Sequence, residues 1–151
     1  MLKFRGNDMI KAVFFDLDGT LLSHSTKCIP QDTVQVLRKL QDKGIRIFMA
    51  TGRHSTELSR LPVHDIRFDG YVTLNGQLCL DNSGDVIYGT PFNESVTDNL
   101  TVLFCEKRYP LALVETDRIY INYVDDTVRK AQRSISTPVP EISTYKNGKI
   151  Y

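Results

Sequence analysis

The stretch Lys11-Ala12-Val13-Phe14-Phe15-Asp16-Leu17-Asp18-Gly19-Thr20-Leu21-Leu22 constrains the fold of this chain more than any other. An apolar run ends abruptly in two carboxylates, a glycine and a threonine. Such a run, bounded by turn residues, predicts a strand buried on both faces, as in a parallel α/β sheet. In those sheets ligands bind just beyond the carboxyl ends of the strands, which is where Asp16 and Asp18 fall. Gly19 permits a sharp turn there, and the Thr20 hydroxyl can tie back into it.

The residues that follow extend this reading. Pro30 suits the first turn of a helix with Val34, Leu37 and Leu40 on one face, Val36 at its edge, Lys39 and Lys43 near its negative end and Gly44 as its stop. Ile45 to Ala50 is a second apolar strand, so strand, helix and strand form a right-handed βαβ unit. Thr51-Gly52-Arg53 lies at the carboxyl end of that strand, beside Asp16 if the two strands are neighbours. A short helix from His54 to Leu61, ended by Pro62, would offer main-chain amides to an anion. A third strand spans Tyr71 to Leu74. From there the pattern changes to a hairpin (77–80 and 86–88), a helix capped by Asn93 with Val96, Leu100, Leu103 and Phe104 on one face, and a hairpin of 111–115 with 119–124. A weaker helix follows, capped by Asp125 or Asp126 and running through Ala131, then a Thr137–Pro140 linker and an Asn147-Gly148 turn. Tyr120 and Tyr123 are expected to pack a sheet. His24, His54 and His64 are not at metal-ligand spacings and read as loop and helix-end residues. Asn75 reads as a hinge contact or a turn former.

Two carboxylates at the mouth of a buried strand suit phosphoryl transfer from a monoester, a reaction so slow in water that catalysis must be worth on the order of 20 kcal/mol or more. One carboxylate can attack phosphorus, splitting one hard step into two easier ones, while the other manages the protons of the leaving oxygen and the attacking water. Two anions would repel a phosphate dianion, which calls for a hard cation with oxygen ligands, and Mg²⁺ fits. An Asp-x-Asp pair also holds metal in nucleotide-sugar transferases, but that reading leaves Thr51-Gly52-Arg53 without a role. Arg53 itself reads either as a partner of a surface carboxylate or as a contact to substrate or a neighbouring acid.

Phe15-Asp16-Leu17-Asp18-Gly19-Thr20-Leu21-Leu22 resembles motif I of the haloacid dehalogenase-like superfamily of phosphohydrolases. Ala50-Thr51-Gly52-Arg53 resembles motif II of its Cof-type branch, which carries a cap of type IIB, and Gly70 to Gly76 resembles the third strand and the passage into that cap. The resemblance implies a three-layer α/β core with a parallel sheet, incomplete here, at residues 1–76, and part of an inserted α+β cap at 77–151. It implies Asp16 as nucleophile and metal ligand, and Asp18 as general acid/base that also binds metal through its backbone carbonyl. Thr51 and the amides around Gly52 then hold the phosphate, with Arg53 a further substrate-binding candidate. The implied activity is Mg²⁺-dependent hydrolysis of a small phosphorylated metabolite such as a sugar phosphate through an aspartyl-phosphate, with a phosphomutase as the nearest enzymatic rival. The family's third motif, a lysine, and its fourth, an acidic stretch, have no match in the chain. The expectation is therefore that these 151 residues alone are catalytically incompetent: a truncated piece, or half of a two-chain assembly. Val13-Phe14-Phe15 would then form an exposed hydrophobic edge that invites self-association.

Composition narrows the partners. A formal net charge of +1 provides no bulk field for nucleic acid or an anionic membrane. No apolar stretch approaches the length of a transmembrane helix, and the first eight residues lack the apolar core of a signal peptide. Cys28, Cys79 and Cys105 are odd in number and widely spaced, which points to reduced thiols and a cytoplasmic location.

Overall fold

The computed structural model describes residues 9–23, 25–61, 63, 66–135 and 137–151. The lead-in 1–8, His24, Pro62 and His64, all named in the sequence reading, lie outside the described residues. The chain divides into two compact units, Met1–Gly89 and Thr90–Tyr151.

The first unit is an α/β sheet with strands β1 (Ala12–Asp16), β2 (Arg46–Ala50), β3 (Gly70–Thr73), β4 (Leu78–Asp81) and β5 (Val86–Gly89), in that spatial order. β1, β2 and β3 are parallel, while β4 and β5 add antiparallel to β3. Helix α1 (Gln31–Asp42) begins beyond Pro30 and closes on Gly44 at φ 75°, whose N–H donates to the Gln41 carbonyl at 2.8 Å. Val34 and Leu37 of α1 and Leu58 of α2 (Ser55–Leu58) pack with Ile47 and Met49 of β2, with Phe15 of β1 beside them. Burial of each such aliphatic side chain is worth about 1.5–3 kcal/mol. Val36 is 54% exposed, because it lies beyond the half-buried Leu40 on the helix rim.

Both helices cover the same face of the sheet, so this unit presents one helical layer among the described residues. The expectation that β1 is buried on both faces is corrected accordingly. β1 is an edge strand, and Phe14, on the other face, is 58% exposed and stacks on Phe48 with ring centroids 4.7 Å apart. The hairpin of β4 and β5 also differs from its expected place in the cap. Buried Leu78 and Leu80 register against Thr73 and Tyr71, so the hairpin extends the first sheet, and the units part at Gly89 and Thr90.

The second unit is α+β: α3 (Glu94–Glu106), β6 (Ala112–Val114), β7 (Ile119–Ile121), α4 (Asp126–Ser134) and β8 (Glu141–Ile142). Asn93 caps α3 and Asp125 caps α4, each side chain accepting a main-chain N–H at 2.9 Å. The buried face of α3 is Phe104 with Leu100. Val96 and Leu103 are 37% and 50% exposed, because Leu113 and Tyr120 press against Phe104 and set the helix rotation. β6 and β7 pair antiparallel, and β8, absent from the sequence reading, joins β7 in parallel after the α4 crossover.

Two polar knots hold this unit. Fully buried Asn122 accepts from the Leu111 and Tyr123 N–H groups at 2.9 Å and donates to the Phe104 and Tyr109 carbonyls at 3.0 Å. Buried Glu115 receives Arg118 through two hydrogen bonds of 2.8 Å and the Tyr120 hydroxyl at 2.5 Å. Burial would raise the Glu115 carboxyl, but the hydrogen bonds from Arg118 and Tyr120 and the charges of Arg118 and Lys146 outweigh it and hold it below its ordinary value. Burial and Glu115 together push the Tyr120 phenol up.

Candidate active site

β1 and β2 end level with one another, Asp16 opposite Ala50. Past that point Leu17 turns its side chain fully into the core, and its carbonyl accepts the N–H groups of Leu21 at 3.1 Å and Leu22 at 2.8 Å. A buried residue between two carboxylates forces both of them outward, so Asp16 and Asp18 are exposed on either side of Leu17. Gly19 turns the chain at φ 81°, and the Thr20 hydroxyl donates to Asp16 Oδ2 at 3.0 Å.

The loop after β2 brings a cation to one of these acids. Arg53 Nε and Nη2 donate to Asp18 Oδ2 and Oδ1 at 2.7 and 2.8 Å, a two-pronged pair that joins the ends of neighbouring parallel strands. The Asp18 carboxylate, mainly through these hydrogen bonds, lifts the Arg53 guanidinium above its ordinary value despite partial burial, and the Glu57 charge adds to the lift. Thr51 is buried, and its hydroxyl oxygen accepts the Arg53 N–H at 3.1 Å, which leaves the hydroxyl proton to donate elsewhere. The structure thus gathers Asp16 with Thr20, and Asp18 with Arg53 and Thr51, at one end of the sheet.

The amides of α2 are arranged differently from the expected anion cradle. The helix is four residues long, and His54, 1% exposed, is its N-cap. The Thr56 N–H donates to His54 Nδ1 at 3.3 Å, and the His54 N–H donates to Glu57 Oε2 at 3.0 Å. This reciprocal box consumes first-turn donors, and what remains for an anion is the Thr51 hydroxyl and the main chain at Gly52. Asn75, left open between two roles by the sequence, lies against Gly52.

The oxygen donors suit a hard cation in part. Asp16 offers a carboxylate and Asp18 a backbone carbonyl, and Mg²⁺ is commonly held by one or two carboxylates with water and substrate phosphate completing its shell. Among the described residues no group of three or more His, Cys, Asp or Glu side chains is gathered for a metal. The three cysteines are unpaired. No helix among the described residues is long and apolar enough to cross a membrane.

The sequence profile of the haloacid dehalogenase-like hydrolases matches residues 13–149. YkrA of Bacillus subtilis (strain 168) is 30% identical over 132 residues, which cover 87% of this chain and 50% of YkrA. Among solved structures, BT1666 from Bacteroides thetaiotaomicron, described with the phosphatases of this superfamily, superposes with a TM-score of 0.74 at 32% identity over 94% of this chain and 52% of its own. BT4131, described as a sugar phosphatase of subclass IIB, superposes with a TM-score of 0.67 at 34% identity over 93% of this chain and 56% of its own. The chain spans about half the length of each of these relatives.

Proposed function

The chain belongs to the haloacid dehalogenase-like hydrolases, and from that premise we propose that it supplies the nucleophile half of a phosphomonoesterase acting on a small sugar phosphate. The observation that carries this reading is the pairing of the strand-end acids with separate partners, Asp16 with Thr20 and Asp18 with Arg53. Two carboxylates in distinct environments are fit for distinct roles.

In the proposed reaction an Asp16 oxygen attacks phosphorus as the bond from phosphorus to the leaving oxygen breaks, and Asp18 gives that oxygen its proton. Water then attacks the aspartyl-phosphate and yields a proton to Asp18, the Asp16–phosphorus linkage breaks, and inorganic phosphate leaves. Thr20 fixes the Asp16 carboxylate. Arg53 orients Asp18 in the ligand-free state; when substrate displaces that pair, Asp18 takes up a proton from solvent and can then give it to the leaving oxygen. Thr51 and Gly52 donate to the phosphoryl oxygens. Bound Mg²⁺, on Asp16 and the Asp18 carbonyl, would offset the negative charge that two carboxylates and a phosphate bring together. Thr90–Tyr151 is read as the partial cap, and the cytoplasm as the location. The test is phosphate release from a panel of sugar phosphates by the whole protein carrying this segment. Release should require Mg²⁺ and vanish in Asp16→Asn, and release that survives that substitution refutes the reading. An isomerised sugar phosphate formed through a bisphosphate would favour a phosphomutase instead.

A second reading concerns the 151 residues by themselves. The described residues gather fewer than three metal-binding side chains, and the Phe14 face of the sheet is exposed, which favours a segment inactive without further polypeptide. Mg²⁺-dependent turnover by the isolated chain, abolished in Asp16→Asn, would overturn it.

A further inference from the structure

Between β3 and β4 the chain passes through three consecutive residues of left-handed backbone: Leu74 at φ 50°, Asn75 at φ 55° and Gly76 at φ 98°. Glycine takes this region freely and asparagine tolerates it, but leucine seldom does. The segment is therefore held in place by its neighbours. Two main-chain hydrogen bonds tie it to the loop that ends β2. The Leu74 N–H donates to the Arg53 carbonyl at 3.3 Å, and the Asn75 N–H donates to the Thr51 carbonyl at 3.2 Å.

The consequence is a side chain laid on Gly52. A Cβ added to Gly52 would stand 3.0 Å from Asn75 Oδ1 and 3.4 Å from Nδ2, so the carboxamide fills the space that any larger residue at 52 would need. Yet Asn75 is exposed, and its carboxamide has no hydrogen-bond partner among the described residues. A residue that only forms a turn commonly spends its side chain on its own backbone, and Asn75 does not. Backbone held in sparsely populated conformations gathers where geometry is used. Here that backbone sets an uncommitted donor over the peptide proposed above to face a phosphoryl group.

We propose that Asn75 is a binding residue of the anion site, its Nδ2–H donating to a phosphoryl oxygen held by Thr51 and Gly52. The inference rests on the reading of Thr51 and Gly52 as the phosphate site. Together the three residues give an anion neutral donors from a hydroxyl, a main-chain amide and a carboxamide, drawn from the ends of adjacent strands β2 and β3.

The experiment is a titration of the whole protein carrying this segment with inorganic phosphate in the presence of Mg²⁺, followed through the Thr51 and Gly52 amide resonances. Three variants are compared with the parent chain. Asn75→Gly keeps the left-handed backbone but removes the carboxamide, Asn75→Asp keeps the shape but turns the donor into an anion, and Thr51→Ala tests the site itself. The expected result is a phosphate-dependent shift in the parent chain, an affinity about tenfold lower in Asn75→Gly, as fits one lost hydrogen bond to a charged group, and no binding in Asn75→Asp. Melting temperatures should stay unchanged. Parental affinity in both Asn75 variants, with binding lost in Thr51→Ala, overturns the role of Asn75 while leaving the anion site standing. No response at Thr51 and Gly52 in the parent chain overturns the anion site and this inference with it.

Discussion

Replacing Gly148 with alanine should destabilise the second unit through one carboxylate. The added Cβ would collide with Glu115 Cδ and Oε2 and stand 2.8 Å from Oε1, well inside contact distance. That carboxylate cannot step aside cheaply, because Arg118 grips it twice at 2.8 Å and the Tyr120 hydroxyl, on a residue 2% exposed, donates to it at 2.5 Å. Displacing it strands a buried hydroxyl, at about 1–3 kcal/mol, and loosens the pair with Arg118. Against this, alanine in place of glycine stabilises by about 0.4–1 kcal/mol through the unfolded chain. The net expectation is a loss of about 2 kcal/mol. Glu115→Ala alone strands the same hydroxyl and should cost a similar amount, but it also empties the space the new methyl needs. In the double variant Gly148→Ala should therefore cost nothing or stabilise slightly, giving a coupling of about 2 kcal/mol. Urea unfolding followed by tyrosine fluorescence reports on this unit, since the chain has no tryptophan and most of its tyrosines lie beyond Thr90. Effects that add within about 0.5 kcal/mol would refute the reasoning.

The same carboxylate should make the second unit acid-labile. Because folding holds Glu115 below its ordinary value near 4.5, its stabilisation is complete above that pH and lost as pH falls through the lower folded value. Glu115→Gln should thus melt below the parent chain at pH 7, with the gap closing as pH drops under about 4, whereas a constant gap would contradict the linkage. Asn122→Asp, nearly isosteric, should cost about 3 kcal/mol or more by setting an anion against the Phe104 and Tyr109 carbonyls in a fully buried site, as read from the urea midpoint. Arg53→Ala should lower kcat of the whole protein by about 10- to 100-fold through loss of Asp18 orientation. Its melting temperature should hardly move, since the pair is partly exposed. A kcat unchanged beyond twofold would remove Arg53 from the proposed role.

Much of this architecture was legible because short-range rules govern it. The turn after β1 follows from three adjacent residues: once Leu17 is drawn into the core, Asp16 and Asp18 are expelled on either side of it, whatever the rest of the chain does. The caps at Asn93 and Asp125 are equally local, since each side chain reaches a donor three residues on. What escaped is decided by packing between distant segments. The rotation of α3 is set by Leu113 and Tyr120, not by the helix's own periodicity, and that is why Leu103 faces water. β8 is two residues long, too short for any alternation to show, and exists because the α4 crossover delivers it to β7. The hairpin of β4 and β5 has the same pattern whether it starts a new unit or extends an old sheet, and only the register of Leu80 against Tyr71 separates the two.

The site divides along the same line. Asp18 and Arg53 stand thirty-five residues apart in the chain, yet their contact follows from the βαβ crossover. Parallel neighbours must both deliver their carboxyl ends to the same edge, so the residue two past the end of β1 meets the residue three past the end of β2. The sequence indicates that crossover, and through it the meeting of an acid with a base. It does not indicate that the base meets the acid in a fork, that His54 closes the α2 amides, or that Leu74 and Asn75 bend left-handed onto Gly52. Each of those depends on a backbone conformation fixed by hydrogen bonds across strands. The donors left over once those bonds are made, the Thr51 hydroxyl and the Asn75 carboxamide, are for that reason the ones to test against phosphate.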